Sequence, residues 1–446
     1  MSRPSTVVLA VLVTAGASLA AGGRVAYARL RAPGTTIGRS MPSRPVLPEA
    51  AIRDSDIVFY ERRARRDPTG AMDLARVAQL YLQRARETGR YEDVLRAEAD
   101  ARQSLANRAV HNASASQVLA SALVSEHRFA EALDVQRGLA ESDPTHLSYR
   151  AALGEVEFEL GRYDEARATF DSLRGHKGEL AVTSRLARWE EIEGRTGDAR
   201  HLLHLALDEA GRRPDLPREQ VAWFWLRLGD LEFRAGHPDV ASYAYANGLV
   251  AHPGDYRLLA AESHLDAVRH DWRGAVDAGE RAIMTNLDPA TLGTISDAFA
   301  ALGDTAQAAE YARVMEIAVS KQPGAYHRAW SLFLLDHGRR VSEVLAKARA
   351  ELATRQDIYG YDVLAWALYK SGRAADAETA MARALSQGTQ DGMLFYHAGM
   401  IARAAGRTAL ARSYLERALQ VNPYFQPMQP DSARKALAEL PQTSHS

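Results

Sequence analysis

The sequence predicts an all-α solenoid of about ten helix-turn-helix units that ends in a capping helix. Three observations predict this fold. A short motif recurs along the chain, its copies lie about 34 residues apart, and the apolar residues before each copy follow helical spacing. The motif is Gly-Arg-aromatic with an alanine five residues after the glycine, as in Gly161-Arg162-Tyr163 with Ala166.

Copies of the motif place the turns between the two helices of each unit. Seven of the nine intervals between these turns lie within one residue of 34. Glycine ends a helix well because it adopts the left-handed conformation without a Cβ clash, and alanine is small where two helices cross. Ten copies in phase favour a repeat array over an ordinary helical domain. The turn residues are Gly89, His127, Gly161, Gly194, Gly236, His270, Gly303, Gly338, Gly372 and Gly406.

These motifs resemble the tetratricopeptide repeat (TPR) family. Gly154, Gly229 and Gly399 each precede a turn by seven residues and match the Leu-Gly position of the family's first helix. The resemblance covers residues 54–428 and implies a right-handed solenoid whose first helices line an inner groove that binds peptides. Three features depart from the family pattern: helices in the first unit, residues 54–105, that are too long for the consensus, an insertion at residues 210–220, and the absence of the alanine after Gly338.

The N-terminal residues 1–28 are predicted to be a signal peptide or an uncleaved membrane anchor. Residues 7–21 carry no charge, but fifteen residues are short for a bilayer span, which needs about twenty. Ala26-Tyr27-Ala28 offers a cleavage site. Both alternatives stay open, and so does a third, in which the chain is cytosolic. We expect a bacterial protein that is exported to the periplasm or cell envelope, or is anchored in the inner membrane with a soluble array.

Two further segments flank the predicted array. Residues 29–53 are rich in proline and are predicted to be a flexible linker. Residues 429–446 are predicted to form a capping helix and a tail.

Composition excludes several classes of function. The chain has no cysteine, which excludes thiolate metal sites and a cysteine nucleophile. Its formal net charge of −1 argues against nucleic acid as the partner. His201, His204 and Asp208 could form the edge of a metal site, but such a trio is more often a solvated helix face. We therefore predict a non-enzymatic scaffold with no cofactor, no metal and no small-molecule substrate, whose partner is a protein or peptide.

The predicted groove supplies the candidate binding residues. Positions 13, 10, 6 and 3 residues before a turn are expected to face the groove, and exposed aromatic and arginine side chains there are typical of binding hot spots. A phase error of one residue would instead place Trp366 and Tyr369 in the core, and that alternative stays open. The candidates are Trp223, Asp230, Arg328, Tyr359, Asp362, Trp366, Tyr369, Tyr396, Met400 and Arg403.

A basic run near the start of the array supports a different hypothesis. Arg62, Arg63, Arg65 and Arg66 could contact anionic lipid or an acidic partner, although a solvated helix face is the other interpretation. On this hypothesis the protein is a membrane-tethered assembly subunit that docks through its convex face or this basic unit. A third hypothesis is an enzyme or regulatory subunit. It is disfavoured because the array leaves no room in the chain for a separate catalytic domain.

Overall fold

The computed structural model describes residues 48–321 and 328–441. In these ranges the chain forms 22 α-helices and no β-strand, and residues from Glu49 onward belong to one compact unit. The predicted all-α repeat solenoid is confirmed. The predicted signal peptide or anchor, most of the predicted linker and the end of the tail lie outside the described residues. None of the helices in the described part is both long enough and apolar enough to cross a bilayer.

The helices pair into ten hairpins, α2–α3 to α20–α21, preceded by α1 and followed by α22. The first eleven helices are α1 Glu49–Arg66, α2 Met72–Thr88, α3 Tyr91–Asn107, α4 Ala113–Ser125, α5 Phe129–Ser142, α6 Leu147–Glu159, α7 Tyr163–Asp171, α8 Leu180–Ile192, α9 Thr196–Gly211, α10 Arg218–Arg234 and α11 Pro238–Ala251. The others are α12 Tyr256–Val268, α13 Trp272–Ile283, α14 Pro289–Ala301, α15 Thr305–Ser320, α16 Arg328–Asp336, α17 Val341–Glu351, α18 Ile358–Lys370, α19 Ala374–Ala384, α20 Gly392–Ala404, α21 Thr408–Val421 and α22 Gln429–Glu439.

All ten predicted turn residues adopt the left-handed conformation. Their φ angles lie between 60° and 85°, including those of His127 and His270. The alanine that follows is fully buried in seven hairpins, at Ala132, Ala166, Ala199, Ala241, Ala275, Ala377 and Ala411. In α15 the matching Ala308 is only half-buried. The motif therefore marks both the bend and the helix crossing in most hairpins.

Helix α1 begins earlier than the sequence pattern indicates. It starts at Glu49, so residues 49–53, which were predicted to belong to the linker, are helical. Two long-range contacts hold this first turn of α1 in place. Arg53 is buried and forms an ion pair with Glu87 of α2, and the Glu49 carboxylate accepts a 3.1 Å hydrogen bond from the backbone N–H of Arg218. The sequence pattern misses this turn because its partners lie elsewhere in the chain.

The array coils back on itself, so that the end of a first helix meets a loop about six hairpins later. The backbone N–H of Gln356 donates to the carbonyl of Leu160 at 3.0 Å, and the Asn422 side chain donates to the carbonyl of Phe233 at 2.8 Å. The Thr389 hydroxyl donates to the carbonyl of Ile192 in the same way. We call this row of contacts the seam. It satisfies the carbonyl groups of Leu160 and Ile192 at the ends of α6 and α8, whereas that of Phe233 at the end of α10 also accepts from the backbone N–H of Gly236 at 3.0 Å.

The largest buried cluster also joins hairpins near the middle of the array to the later hairpins that they meet at the seam. Phe158 and Trp189, from α6 and α8, share it with Ile358 and Leu394, from α18 and α20. The inner face of the middle hairpins therefore lies against the later hairpins, and the groove between them is enclosed.

Candidate binding site in the enclosed groove

Arginine side chains from two first helices lie against one tyrosine in the groove. The guanidinium carbon of Arg188 on α8 lies 5.8 Å from the ring centre of Tyr359 on α18, and that of Arg328 on α16 lies 4.5 Å from it. Cations at such distances are attracted by the face of an aromatic ring. Burial raises the pKa of the Tyr359 hydroxyl, so it stays neutral and retains its proton at neutral pH.

Glu191 on α8 is the anionic centre of this group. Its carboxylate lies 2.9 Å from Arg188 Nη1, 3.3 Å from Arg227 Nη2 and 2.5 Å from Arg234 Nε. Burial opposes ionisation of Glu191, but attraction by Arg234, Arg188 and Arg227 outweighs it and holds the pKa of this carboxyl well below its usual range. Glu191 therefore fixes the positions of three arginines that come from two helices.

Asp362 on α18 holds Arg328 in a comparable way. Its carboxylate is fully buried, 3.1 Å from Arg328 Nη2 and 2.6 Å from His397 Nδ1. Burial opposes its ionisation, yet the pKa of Asp362 is lowered because His397 and Arg328 together outweigh that effect. The Trp366 ring stacks on His397 with ring centres 4.0 Å apart. Asp362 is thus a buried support for Arg328 and does not face solvent.

A cavity of about 270 Å³ lies between α10 and α12 on one side and α16 and α20 on the other. Its lining combines apolar side chains with charged ones. The apolar group is Phe233, Leu332, Met393 and Phe425, and the polar group includes Asp230, Arg234, His264, Arg328 and Asp391. Burial lowers the pKa of His264 to about 4, and Asp230 offsets this only in part. His264 is therefore uncharged at neutral pH.

The two arginines at the cavity have hydrogen-bonding capacity to spare. Among the described residues, Arg234 donates only from Nε, to Glu191, and Arg328 only from Nη2, to Asp362. Arg234 Nη2 and Arg328 Nε are buried and have no hydrogen-bond partner in the described part of the chain. A buried donor without a partner costs about 1–3 kcal/mol, more when charged. Both nitrogens are shut off from solvent, so the donor of each guanidinium that a ligand could reach is Nη1, which makes no hydrogen bond among the described residues.

The carboxylates at the cavity, in contrast, already have partners. Asp230 accepts a 3.1 Å hydrogen bond from the Tyr245 hydroxyl and lies 3.2 Å from Arg227 Nη1. Asp391 caps α20 by accepting from the backbone N–H of Met393 at 2.8 Å. This cap uses only Oδ1 of Asp391, so the unused capacity of the cavity includes the Asp391 Oδ2 acceptor as well as arginine donors.

The structure brings four of the ten predicted groove residues to this region: Asp230, Arg328, Tyr359 and Asp362. The other six lie elsewhere. Trp366 and Tyr396 are core residues, 2% and 5% exposed, and Tyr369 and Met400 are half-buried against the same core.

The last two predicted groove residues pack against neighbouring elements. Arg403 forms an ion pair with Glu439 of α22, with 2.7 Å between the charged atoms. Trp223 is half-buried against a small cluster formed by α9 and α10. A binding role for these residues stays a prediction.

The sequence reasoning missed Arg188, Glu191, Arg227, Arg234 and His264. A signal was present for three of them. Arg188 and His264 precede their turns by six residues, the same position as Asp230 and Leu332, and all four lie in the groove or at the cavity. Applying that position to every hairpin would have found them. Glu191 precedes Gly194 by three residues, another of the chosen positions, whereas Arg227 and Arg234 lie at none of them.

The basic run lies on α1, and no residue of the run lines the cavity. Arg63 pairs with Asp73 at 3.0 Å and Arg65 with Glu61 at 3.5 Å, while Arg62 and Arg66 are exposed. His201 and His204 are exposed on α9, and no cluster of three or more histidine or acidic side chains among the described residues is arranged to hold a metal ion.

Comparison with known proteins identifies repeats in two segments. Residues 118–178 and 363–424 match the tetratricopeptide repeat family model. No curated protein matches the sequence.

Solved structures are similar at low identity. The structure of the APC/C hetero-tetramer Cut9-Hcn1 is 13% identical, with a TM-score of 0.32, over 87% of this chain and 94% of that chain. BtubC from P. vanneervenii is 17% identical, with a TM-score of 0.35, over 45% of this chain and 92% of that chain. A tetratricopeptide repeat protein from Parabacteroides merdae is 13% identical, with a TM-score of 0.34, over 63% of this chain and 95% of that chain. At these values the similarities say nothing about partners.

Proposed function

We propose that this protein is a non-enzymatic scaffold of TPR units that binds a segment of a protein partner in its enclosed groove. One observation carries the proposal: the first helices present arginines around Tyr359, next to a cavity that Arg234 and Arg328 line. Arginine and tyrosine are typical hot-spot residues, and a site between packed helices is a common place for a ligand.

The acidic groups at the cavity support binding over catalysis. Glu191, Asp230, Asp362 and Asp391 are each engaged in ion pairs or helix capping. A general acid or base must reach the proton that it transfers. These carboxylates instead hold arginines or backbone in place, which is the arrangement of a recognition surface.

The proposed setting is the cell envelope, with export or anchoring through residues 1–28. Purification of the full-length protein from its native membranes and soluble extract, followed by N-terminal sequencing, tests this setting. A first residue near Arg29 would indicate cleavage, and Met1 or Ser2 in the membrane fraction would indicate an anchor. An uncleaved protein found only in the soluble cytosolic fraction would contradict the proposal.

Affinity capture with a matched pair of variants tests the binding site. The groove variant carries Arg234→Gln and Arg328→Gln, and the control carries Arg62→Gln and Arg66→Gln on exposed α1, so both lose two positive charges. We expect the groove variant to lose a partner that the wild type and the control both retain. Equal capture by all three proteins, at equal thermal stability, would overturn the proposal.

A second candidate function is docking through α1. The helix exposes Ile52, Val58 and Phe59 at 46–51%, beside the exposed Arg62 and Arg66. Apolar and basic side chains on one exposed face suit a surface of anionic lipid. Reversing Arg62, Arg63, Arg65 and Arg66 to glutamate would release the protein from membranes if α1 docks there, and would leave it bound if only the N-terminal segment holds it.

A further inference from the structure

We infer that two copies of this chain associate through an apolar stripe on the outer face of α11. The stripe consists of Val240, Tyr243, Ala246 and Val250, which are all exposed. Their spacing of three or four residues places them on one side of the helix, over about 15 Å of its length. None of the four lines the cavity, so this inference is independent of the proposed function.

The stripe differs from the outer faces of the other second helices. Its residues lie four, seven, ten and fourteen positions after Gly236, and in each of the other nine hairpins these positions include at least one polar side chain. The only charged residue of α11 is Asp239. Val240, Tyr243 and Val250 are nevertheless 48%, 66% and 79% exposed. Monomeric proteins rarely leave a contiguous apolar face in contact with water, so the stripe indicates a docking surface.

The order of the side chains along the stripe suits an antiparallel contact with a second α11. In such a pair Val240 lies opposite Val250 of the second copy, and the large Tyr243 lies beside the small Ala246. A two-fold axis requires a patch that is complementary to itself, which this order provides. The antiparallel arrangement also brings opposite ends of the two helix dipoles together.

The charges around the stripe favour a second copy over a membrane. The same outer positions of α9 and α13, the second helices of the adjacent hairpins, carry Asp198, Asp208, Asp277 and Glu280, and neither lysine nor arginine. A helix that binds anionic lipid has a basic polar face instead. In a dimer these acidic side chains surround the contact and repel one another, so salt, which screens this repulsion, should strengthen the association.

The small size of the stripe predicts a weak dimer. Stable interfaces bury about 800 Å² on each partner, and four side chains of one helix supply less than that. We therefore expect a reversible dimer whose dissociation constant is on the order of 10–100 μM.

Sedimentation velocity of the full-length protein, from about 1 to about 200 μM, tests the inference. Ala246→Glu places two like charges near the two-fold axis. Its matched control is Ala382→Glu on α19, because Ala382 is also exposed and lies ten residues after its turn glycine, Gly372. We expect the wild type and the control to dimerise equally, and Ala246→Glu to dimerise at least tenfold more weakly.

A mixture of two variants tests whether the second copy is the partner. Ala246→Arg alone should also dimerise weakly, whereas an equal mixture of Ala246→Arg and Ala246→Glu should recover association, because opposite charges then meet near the axis. A wild type that stays monomeric at about 200 μM would overturn the inference. A dimer that Ala246→Glu leaves unchanged, a mixture that does not recover, or a dimer that dissociates at high salt would overturn it as well.

Other occupants of the stripe would be recognised in the same experiments. If the wild type is monomeric and Ala246→Glu loses a different captured protein, or loses binding to vesicles of phosphatidylcholine and phosphatidylglycerol, the stripe belongs to that occupant and the inference is wrong. Capture of a groove partner should not depend on Ala246. The inference and the proposed function can therefore fail separately.

Discussion

The hydroxyl of Tyr163 accepts a 2.8 Å hydrogen bond from the backbone N–H of Ile358, 195 residues later in the sequence. Both residues are buried, and burial raises the pKa of this hydroxyl, so it remains protonated. Tyr163 is the aromatic residue of the repeat motif that follows Gly161, and Ile358 opens α18. The contact therefore links a residue of the repeat motif to the seam that encloses the groove.

Substituting the turn glycines tests the seam. A Cβ on Gly161 would lie 2.3 Å from the carbonyl oxygen of Gln356, and one on Gly194 would lie 2.3 Å from that of Gly388, whereas Gly372 and Gly406 have no atom within 4 Å of that position. All four share a φ of 74–77°, so alanine costs each about 1–2 kcal/mol of left-handed strain. At the two seam positions, the clash adds about 1–3 kcal/mol.

Urea denaturation followed by circular dichroism measures this difference. We expect Gly161→Ala and Gly194→Ala to unfold at clearly lower urea concentration than Gly372→Ala and Gly406→Ala. An equal loss in all four variants would show that the seam does not form in solution.

The motif alanines are expected to tolerate no larger side chain. Ala166→Leu and Ala377→Leu insert a branched side chain at fully buried helix crossings, which costs about 1–3 kcal/mol through overpacking. Ala308→Leu, at the same motif position but half-buried, is the matched control and should cost less. Thermal unfolding of the three variants checks the order, and a loss at Ala308 as large as the others would contradict it.

Trp366 distinguishes core packing from groove binding. Its indole N–H donates to Asp336 at 2.8 Å, and Gln429 of α22 donates to the same carboxylate at 3.0 Å. Trp366→Phe removes one of these bonds and part of the buried ring, so we expect about 1–2 kcal/mol of lost stability. Partner capture should be unchanged. Lost capture without lost stability would mean that the indole ring touches a ligand.

Asp100 should make the fold less stable at neutral pH. Burial and the nearby negative charge of Glu61 raise the pKa of its carboxyl to about 6, above its value of about 3.9 in an unfolded chain. The folded state thus binds this proton more tightly. The resulting penalty is absent below about pH 4, grows as pH rises towards 6 and is complete above it.

Replacing Asp100 by asparagine removes this penalty. Asp100→Asn should raise the free energy of unfolding at pH 7.5 by at most about 3 kcal/mol, because one pKa unit corresponds to about 1.4 kcal/mol and the site is only half-buried. The gain should vanish near pH 4. Denaturation of both proteins across this pH range measures it, and a gain that does not depend on pH would contradict the assignment.

The sequence pattern located the ten turns and most buried alanines, but only part of the site. Gly89 and Gly406 were found from the same local signal, since the conformation of a turn depends on a few adjacent residues. The side chains at the cavity were harder to find. Arg234 lies near the end of its helix, and its role depends on Glu191 in another hairpin and on Arg328 across the groove.

The sequence by itself determined the hairpins, their order and their small crossing residues, because each repeat folds through contacts within about 34 residues. Only the tertiary structure decided that the groove is enclosed. The small rotation between neighbouring hairpins accumulates over about six of them before Gln356 reaches Leu160. No local sequence pattern encodes this accumulated rotation. The rotation brings the arginines of distant hairpins to one cavity.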